Sequence, residues 1–147
     1  MSNKIQQSIK GGIIATAVMS MVMWLAAMMG MPKMSPPAML SMMMGLPIIV
    51  GWLMHFMIGI IFAMLYSFFF MKVLRKINSN ILKGAIFGFA AFLIAQVSLG
   101  AMGSIFPMPP MEGSMMLMML GSIIGHFVFG IVAVQFIKEP VAKKTFA

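Results

Sequence analysis

Four long apolar stretches, none with a charge in its middle, constrain this chain more than any other feature. They run from about Ile9 to Gly30, Leu46 to Met71, Ile81 to Phe106 and Met115 to Ile137. A helix needs roughly 20 apolar residues to cross a bilayer, and each stretch has that length. Lys10 and Lys83, each near the start of its stretch, are the charged residues inside them. Pro32, Pro36 and Pro37 end the first stretch, Lys72, Arg75 and Lys76 end the second, and Pro107, Pro109 and Pro110 end the third. In hydrocarbon every backbone polar group must find its partner within the protein, so such stretches fold as helices. The expected fold is all-α: an integral membrane four-helix bundle forming one transmembrane domain over residues 1–147.

Only 8% of the residues are charged, against about a quarter in a soluble domain. Apolar residues make up 62%, a surplus that calls for lipid as a partner. The net charge of +8 would suggest nucleic acid in a soluble protein, but the placement of the charges explains it better. Lys4 precedes the first stretch and Lys10 lies at its start. Lys72, Arg75, Lys76 and Lys83 flank the loop between the second and third, and Lys138, Lys143 and Lys144 follow the fourth. Basic residues concentrate on the cytoplasmic side of short loops, so both termini are expected in the cytoplasm. Lys33 alone falls on the outer side. The first stretch has a basic start like a signal peptide, but its apolar run exceeds the 7–15 residues of an h-region.

The chain also repeats itself. Lys10-Gly11-Gly12-Ile13 matches Lys83-Gly84-Ala85-Ile86 at an offset of 73, where Met29-Gly30 also meets Met102-Gly103 and Pro36-Pro37 meets Pro109-Pro110. With two residues dropped, His55-Phe56 meets His126-Phe127 and Gly59-Ile60 meets Gly130-Ile131. Residues of about 10–71 and 83–138 then form two copies of a helical hairpin. Two copies entering from the same side are parallel repeats, related by an axis along the membrane normal. Gly51, His55, Gly59 and Ala63 recur every four residues, as do Ser122, His126 and Gly130, with Gly84 and Gly88 as a further small pair. Small residues let membrane helices approach closely, so these stripes should face the interior. Tyr66, Phe68, Phe69 and Phe70, with Trp24 and Trp52, read as packing and interface anchors.

Each stripe carries one histidine. Ionisable groups inside a membrane are costly and mark function by default. Neutral imidazole suits copper, zinc or iron, and two facing imidazoles can ligate a haem axially. His55 and His126 are therefore the candidate cofactor-binding and metal-binding residues. The plainer reading is a hydrogen bond to a neighbouring helix, with Ser20, Ser98 and Ser122 within reach along the sequence.

Methionines cluster outside these histidines. Residues 19–44 hold eleven of the 23 and residues 102–119 hold seven. Thioether is a soft ligand for Cu(I), which makes Met42, Met43, Met115 and Met116 candidate metal ligands beside the histidines. Methionine also packs irregular gaps as an apolar filler. In the outer loop before them, Ser35 ahead of Pro36-Pro37 reads as an N-cap with proline in the first turn, starting a short helix that runs to Gly45. The second copy's Pro109-Pro110-Met111-Glu112-Gly113-Ser114 should instead merge into the fourth stretch. Glu112 and Lys33, in equivalent outer loops, carry opposite charge and could pair, worth under about 1 kcal/mol when exposed.

No stretch contains Asp or Glu, there is no cysteine, and no catalytic serine or carboxylate pair is evident. A carboxylate relay, a phosphate loop and metal-free catalysis all lack residues, so no enzyme activity is expected.

Met29-Gly30-Met31-Pro32-Lys33-Met34, Pro37-Ala38-Met39-Leu40 and Gly51-Trp52-Leu53-Met54-His55-Phe56-Met57-Ile58-Gly59 resemble a family of small, Met-rich, four-span prokaryotic membrane proteins of unknown function. The resemblance covers most of the chain. It implies the four-span fold in a cytoplasmic membrane and no activity or ligand. The residues themselves lead to a non-catalytic membrane protein that binds copper or haem through the histidine pair. A structural subunit of a larger membrane complex and a homo-oligomeric transporter or channel unit are the alternatives.

Overall fold

The computed structural model describes residues 2–110 and 113–138. Lys143, Lys144, Met111 and Glu112, invoked above for topology and loop pairing, lie outside the described residues. Helix α1 spans Ser2–Met28, α2 Pro36–Met44 and α3 Ile48–Leu65. A π turn, Tyr66–Phe70, and a short α4, Met71–Val73, continue α3 without a break. Then come α5, Asn80–Gly103, and α6, Met115–Phe136. Among the described residues there is no strand. Four of the helices are long and apolar enough to cross a membrane by length and composition. Their outward surfaces are apolar too: Trp24 is 61% exposed, Leu53 65% and Val97 75%. Contiguous surface of this kind is rare on a soluble monomer and fits a lipid bilayer. This is the construction of a multi-pass membrane protein.

The loop chemistry sets the helix ends. Ser35 takes an extended conformation and its Oγ accepts from Ala38 N at 3.4 Å, so α2 starts where the sequence places it. Gly45, at φ 62°, closes α2 in the left-handed conformation that glycine adopts without strain. Ser41 Oγ then donates to the Leu46 carbonyl, which holds the turn into α3. Ser79 caps α5 in the same way as Ser35, accepting from Leu82 N at 3.3 Å. Residues 104–110 and 113–114 form no helix, and α6 follows at Met115. The expected merging of this loop into the fourth stretch is therefore not seen: Pro109, Pro110, Gly113 and Ser114 stand outside α6, which begins only after Ser114.

The bundle is two helical hairpins, α1 with α3 and α5 with α6, joined mainly where α1 packs on α6. Within each hairpin a glycine brings backbone against backbone. A Cβ on Gly12 would stand 2.7 Å from Ile60 Cα, and Gly84 sits against Ile131 Cα in the same manner. Thr16 fills the space over Gly59 as Gly88 fills that over Gly130. These contacts correspond at an offset of 72 in the first helices and 71 in the second. The sequence alignment at 73 sets Gly11 against Gly84, whereas the packing sets Gly12 there. Burial follows the same register: Gly11, Gly12, Ala15, Thr16 and Met19 are buried in α1, and Lys83, Gly84, Phe87, Gly88 and Ala91 in α5. Lys83, counted above with the basic rim, is thus inside the first turn of α5.

The stripe read on α3 is borne out residue for residue, since Gly51, His55, Gly59 and Ala63 are its buried positions. On α6 the sequence reading captured one face of two. Gly130 is buried, while Ser122 and His126 are half-buried. A second stripe, Gly121, Gly125, Phe129 and Ala133, is buried against α1. The corresponding positions of α3 at the offset of 71 are Val50, Met54, Ile58 and Phe62. Bulk there keeps α3 from closing on α5 as α6 closes on α1. The two meet through side chains near the basic loop, where Tyr66 and Phe70 pack at a tilt against Phe87 with ring centroids 5.0 and 5.3 Å away. The π turn supplies both rings. Four residues apart, they share one side of the helix, while Phe68 and Phe69 stay outside.

Candidate functional site

Each histidine is held within its own hairpin. The α3 stripe turns His55 toward α1, where its Nε2 shares a hydrogen bond of 3.2 Å with Ser20 Oγ. Trp52 meets the ring edge-on with centroids 6.3 Å apart. On α6, His126 Nδ1–H donates to the carbonyl of Ser122 at 2.8 Å, and Phe92 of α5 lies edge-on at 5.9 Å. A carbonyl only accepts, so Nδ1 carries the proton and the neutral ring presents Nε2 as an acceptor. Of the hydroxyls named from sequence, Ser20 reaches His55. Ser122 serves His126 through its backbone, and its hydroxyl instead accepts from Gln96 Nε2 at 3.5 Å. Ser98 bonds the Ile94 carbonyl of its own helix.

The candidate methionines do not gather at these rings. Met43 is buried in α2, Met42 points outward from the same helix, and Met115 and Met116 are 68% and 77% exposed at the start of α6. Among the described residues no group of three or more His, Cys, Asp or Glu comes together.

What the sequence reading missed is a cleft of about 850 Å³ between α1, the loop after it, α2 and α3. It follows α1 from Ala17 to Met28, about 16 Å of helix. Its walls are apolar: Met21, Met23, Trp24 and Ala27 on one side, Trp52 and Phe56 on the other, and Pro36 and Pro37 above. Two features make it more than a groove for any chain. Ser20, already bonded to His55, places a hydroxyl in its wall. Lys33, exposed in the loop, places a cation at its rim. Both tryptophans of the chain, read above as interface anchors, line it. Geometry of this kind needs four segments brought together, which no local pattern announces.

The chain matches the model of DUF6789, a family of unknown function, over residues 2–139. The chain belongs to this family. No curated protein and no solved structure matches it. The match spans both hairpins, the cleft and both histidines, so the site lies wholly within what the family model covers.

Proposed function

We propose that this chain is a non-catalytic membrane protein that binds an anionic amphiphile in the cleft beneath α2. The observation that carries the reading is the cleft's polarity pattern: apolar walls of tryptophan, phenylalanine and methionine, Lys33 and Ser35 in the loop at one end and the Ser20 hydroxyl on α1. A pocket of a few hundred to about 1,000 Å³ with few convergent polar groups is the usual form of a small-molecule site. The tail would lie along Trp24, Trp52 and Phe56, and the acidic head would meet Lys33. In this proposal both termini are cytoplasmic, as the basic residues indicate, so the cleft opens on the outer leaflet. The alike packing of the two hairpins supports their origin by duplication. A metal or haem shared by His55 and His126 has less support, because each ring is engaged within its own hairpin.

Both tryptophans line the cleft, so their fluorescence reports its occupancy. In nanodiscs, a brominated fatty acid should quench it saturably. Its methyl ester, and the acid added to a Lys33→Gln variant, should each bind about tenfold more weakly, about 1.4 kcal/mol for a lost charge-assisted contact. Quenching that rises without saturation, or that ignores both the ester and Lys33→Gln, contradicts the reading.

A further inference from the structure

Gly121 and Gly125 of α6 differ from the other helix-contact glycines. Gly12, Gly84, Gly88 and Gly130 lie against the backbone of a neighbouring helix. The glycines at 121 and 125 meet thioethers instead. A Cβ on Gly121 would stand 3.1 Å from Met34 Sδ, 3.4 Å from Met23 Cε and 3.6 Å from Met31 Cε. One on Gly125 would stand 3.2 Å from Met23 Sδ and 3.2 Å from Met19 Cε. Each methyl carbon is one bond from its sulfur. Four thioether side chains thus lie along about 6 Å of one helix face, with Met23 touching both glycines. Two come from successive turns of α1 and two from the loop that follows it.

Met19 and Met23 are buried, at 7% exposure each, while Met31 and Met34 are half-buried and connect the cluster to the loop. Met23 and Met34 also line the cleft, which gives a small ion a route from the open end of the bundle. Sulfur donors without a carboxylate or a thiolate select a soft monovalent ion over zinc, calcium or magnesium. The glycines leave the space in which the sulfurs can turn inward, and methionine's three rotatable bonds let them do so.

We propose that Met19, Met23, Met31 and Met34 form a Cu(I) site on the Gly121–Gly125 face of α6. The proposal does not depend on amphiphile binding, although Met23 and Met34 also border that cleft, and it does not involve the histidines: its ligands are thioethers alone. It also replaces the exposed methionines Met42, Met115 and Met116 with four that share one helix face.

The test is an anaerobic Cu(I) titration of the full chain in detergent, without fatty acid, against a competing chromophoric chelator. One ion per chain is expected, with a sulfur-only first shell by X-ray absorption. A Met19→Leu, Met23→Leu, Met34→Leu variant keeps the volume nearly constant, so it should fold. Its affinity should fall by about 100-fold, the upper end of what losing even an outer-shell partner costs. A Met42→Leu, Met115→Leu, Met116→Leu control should bind as the parent does. The proposal is overturned by no binding above that of a Cu(I)-free detergent blank, by equal affinity in the first variant, by loss in the control, or by a nitrogen shell that vanishes in His55→Ala. Circular dichroism of the first variant confirms that a loss of binding is not a loss of fold. Fatty-acid quenching is scored separately, so failure of either reading leaves the other standing.

Discussion

Ser20 Oγ lies 3.2 Å from His55 Nε2, which joins α1 to α3 in the wall of the cleft. Ser20→Ala should leave the imidazole nitrogen without that partner in an apolar setting. Hydrogen bonds between membrane helices average about 0.6 kcal/mol and reach about 1.7. Reversible unfolding in mixed detergent should show a loss in that range. A double-mutant cycle with His55→Phe isolates the pair, and a coupling energy of zero would show that the contact contributes nothing.

Gly12 and Gly100 should respond to alanine with opposite signs. A Cβ on Gly12 would press into Ile60 Cα at 2.7 Å and the Gly59 carbonyl at 2.9 Å, all of it backbone that cannot rotate away. Over-packing of this kind costs about 1–3 kcal/mol. Gly100 has nothing within 4 Å of its Cβ position and sits inside α5, so Gly100→Ala should gain up to about 1 kcal/mol from helix propensity. The same unfolding assay reads both. Equal effects at the two positions would contradict the close approach of α1 and α3.

The orientation of the chain is open to direct labelling, because it contains no cysteine. A Lys33→Cys variant should react with a membrane-impermeant maleimide in intact cells. A Lys76→Cys variant should react only after permeabilisation. The reverse pattern would place the cleft on the cytoplasmic side and remove the charge-based topology.

Much of the fold was legible because its causes are local. The long apolar helices follow from runs that water would reject, and α2 follows from Ser35, Pro36-Pro37 and Gly45 acting on their own neighbours. The α3 stripe was legible for a related reason: Gly51, His55, Gly59 and Ala63 are spaced every four residues among bulky ones. Gly121 and Gly125 have the same spacing and could have been found by the same rule. Ser122, His126 and Gly130 mark the adjacent face with the same spacing, and only the packing shows which of the two seats against α1.

The sequence by itself therefore determined the helices, their ends and which small residues could seat a neighbour. Tertiary structure decided which neighbour each one meets. Lys10-Gly11-Gly12-Ile13 offers two glycines, and letters alone cannot say which touches Ile60; the helix rotation set by every other contact selects Gly12. For the same reason His55 found Ser20 while His126 turned to its own Ser122 carbonyl, although the two occupy matching places in the chain. The bulk of Val50 and Met54 against the bareness of Gly121 and Gly125 made the bundle lopsided. That asymmetry brought the α1 methionines onto α6, because helices without side chains in the way approach until something else stops them.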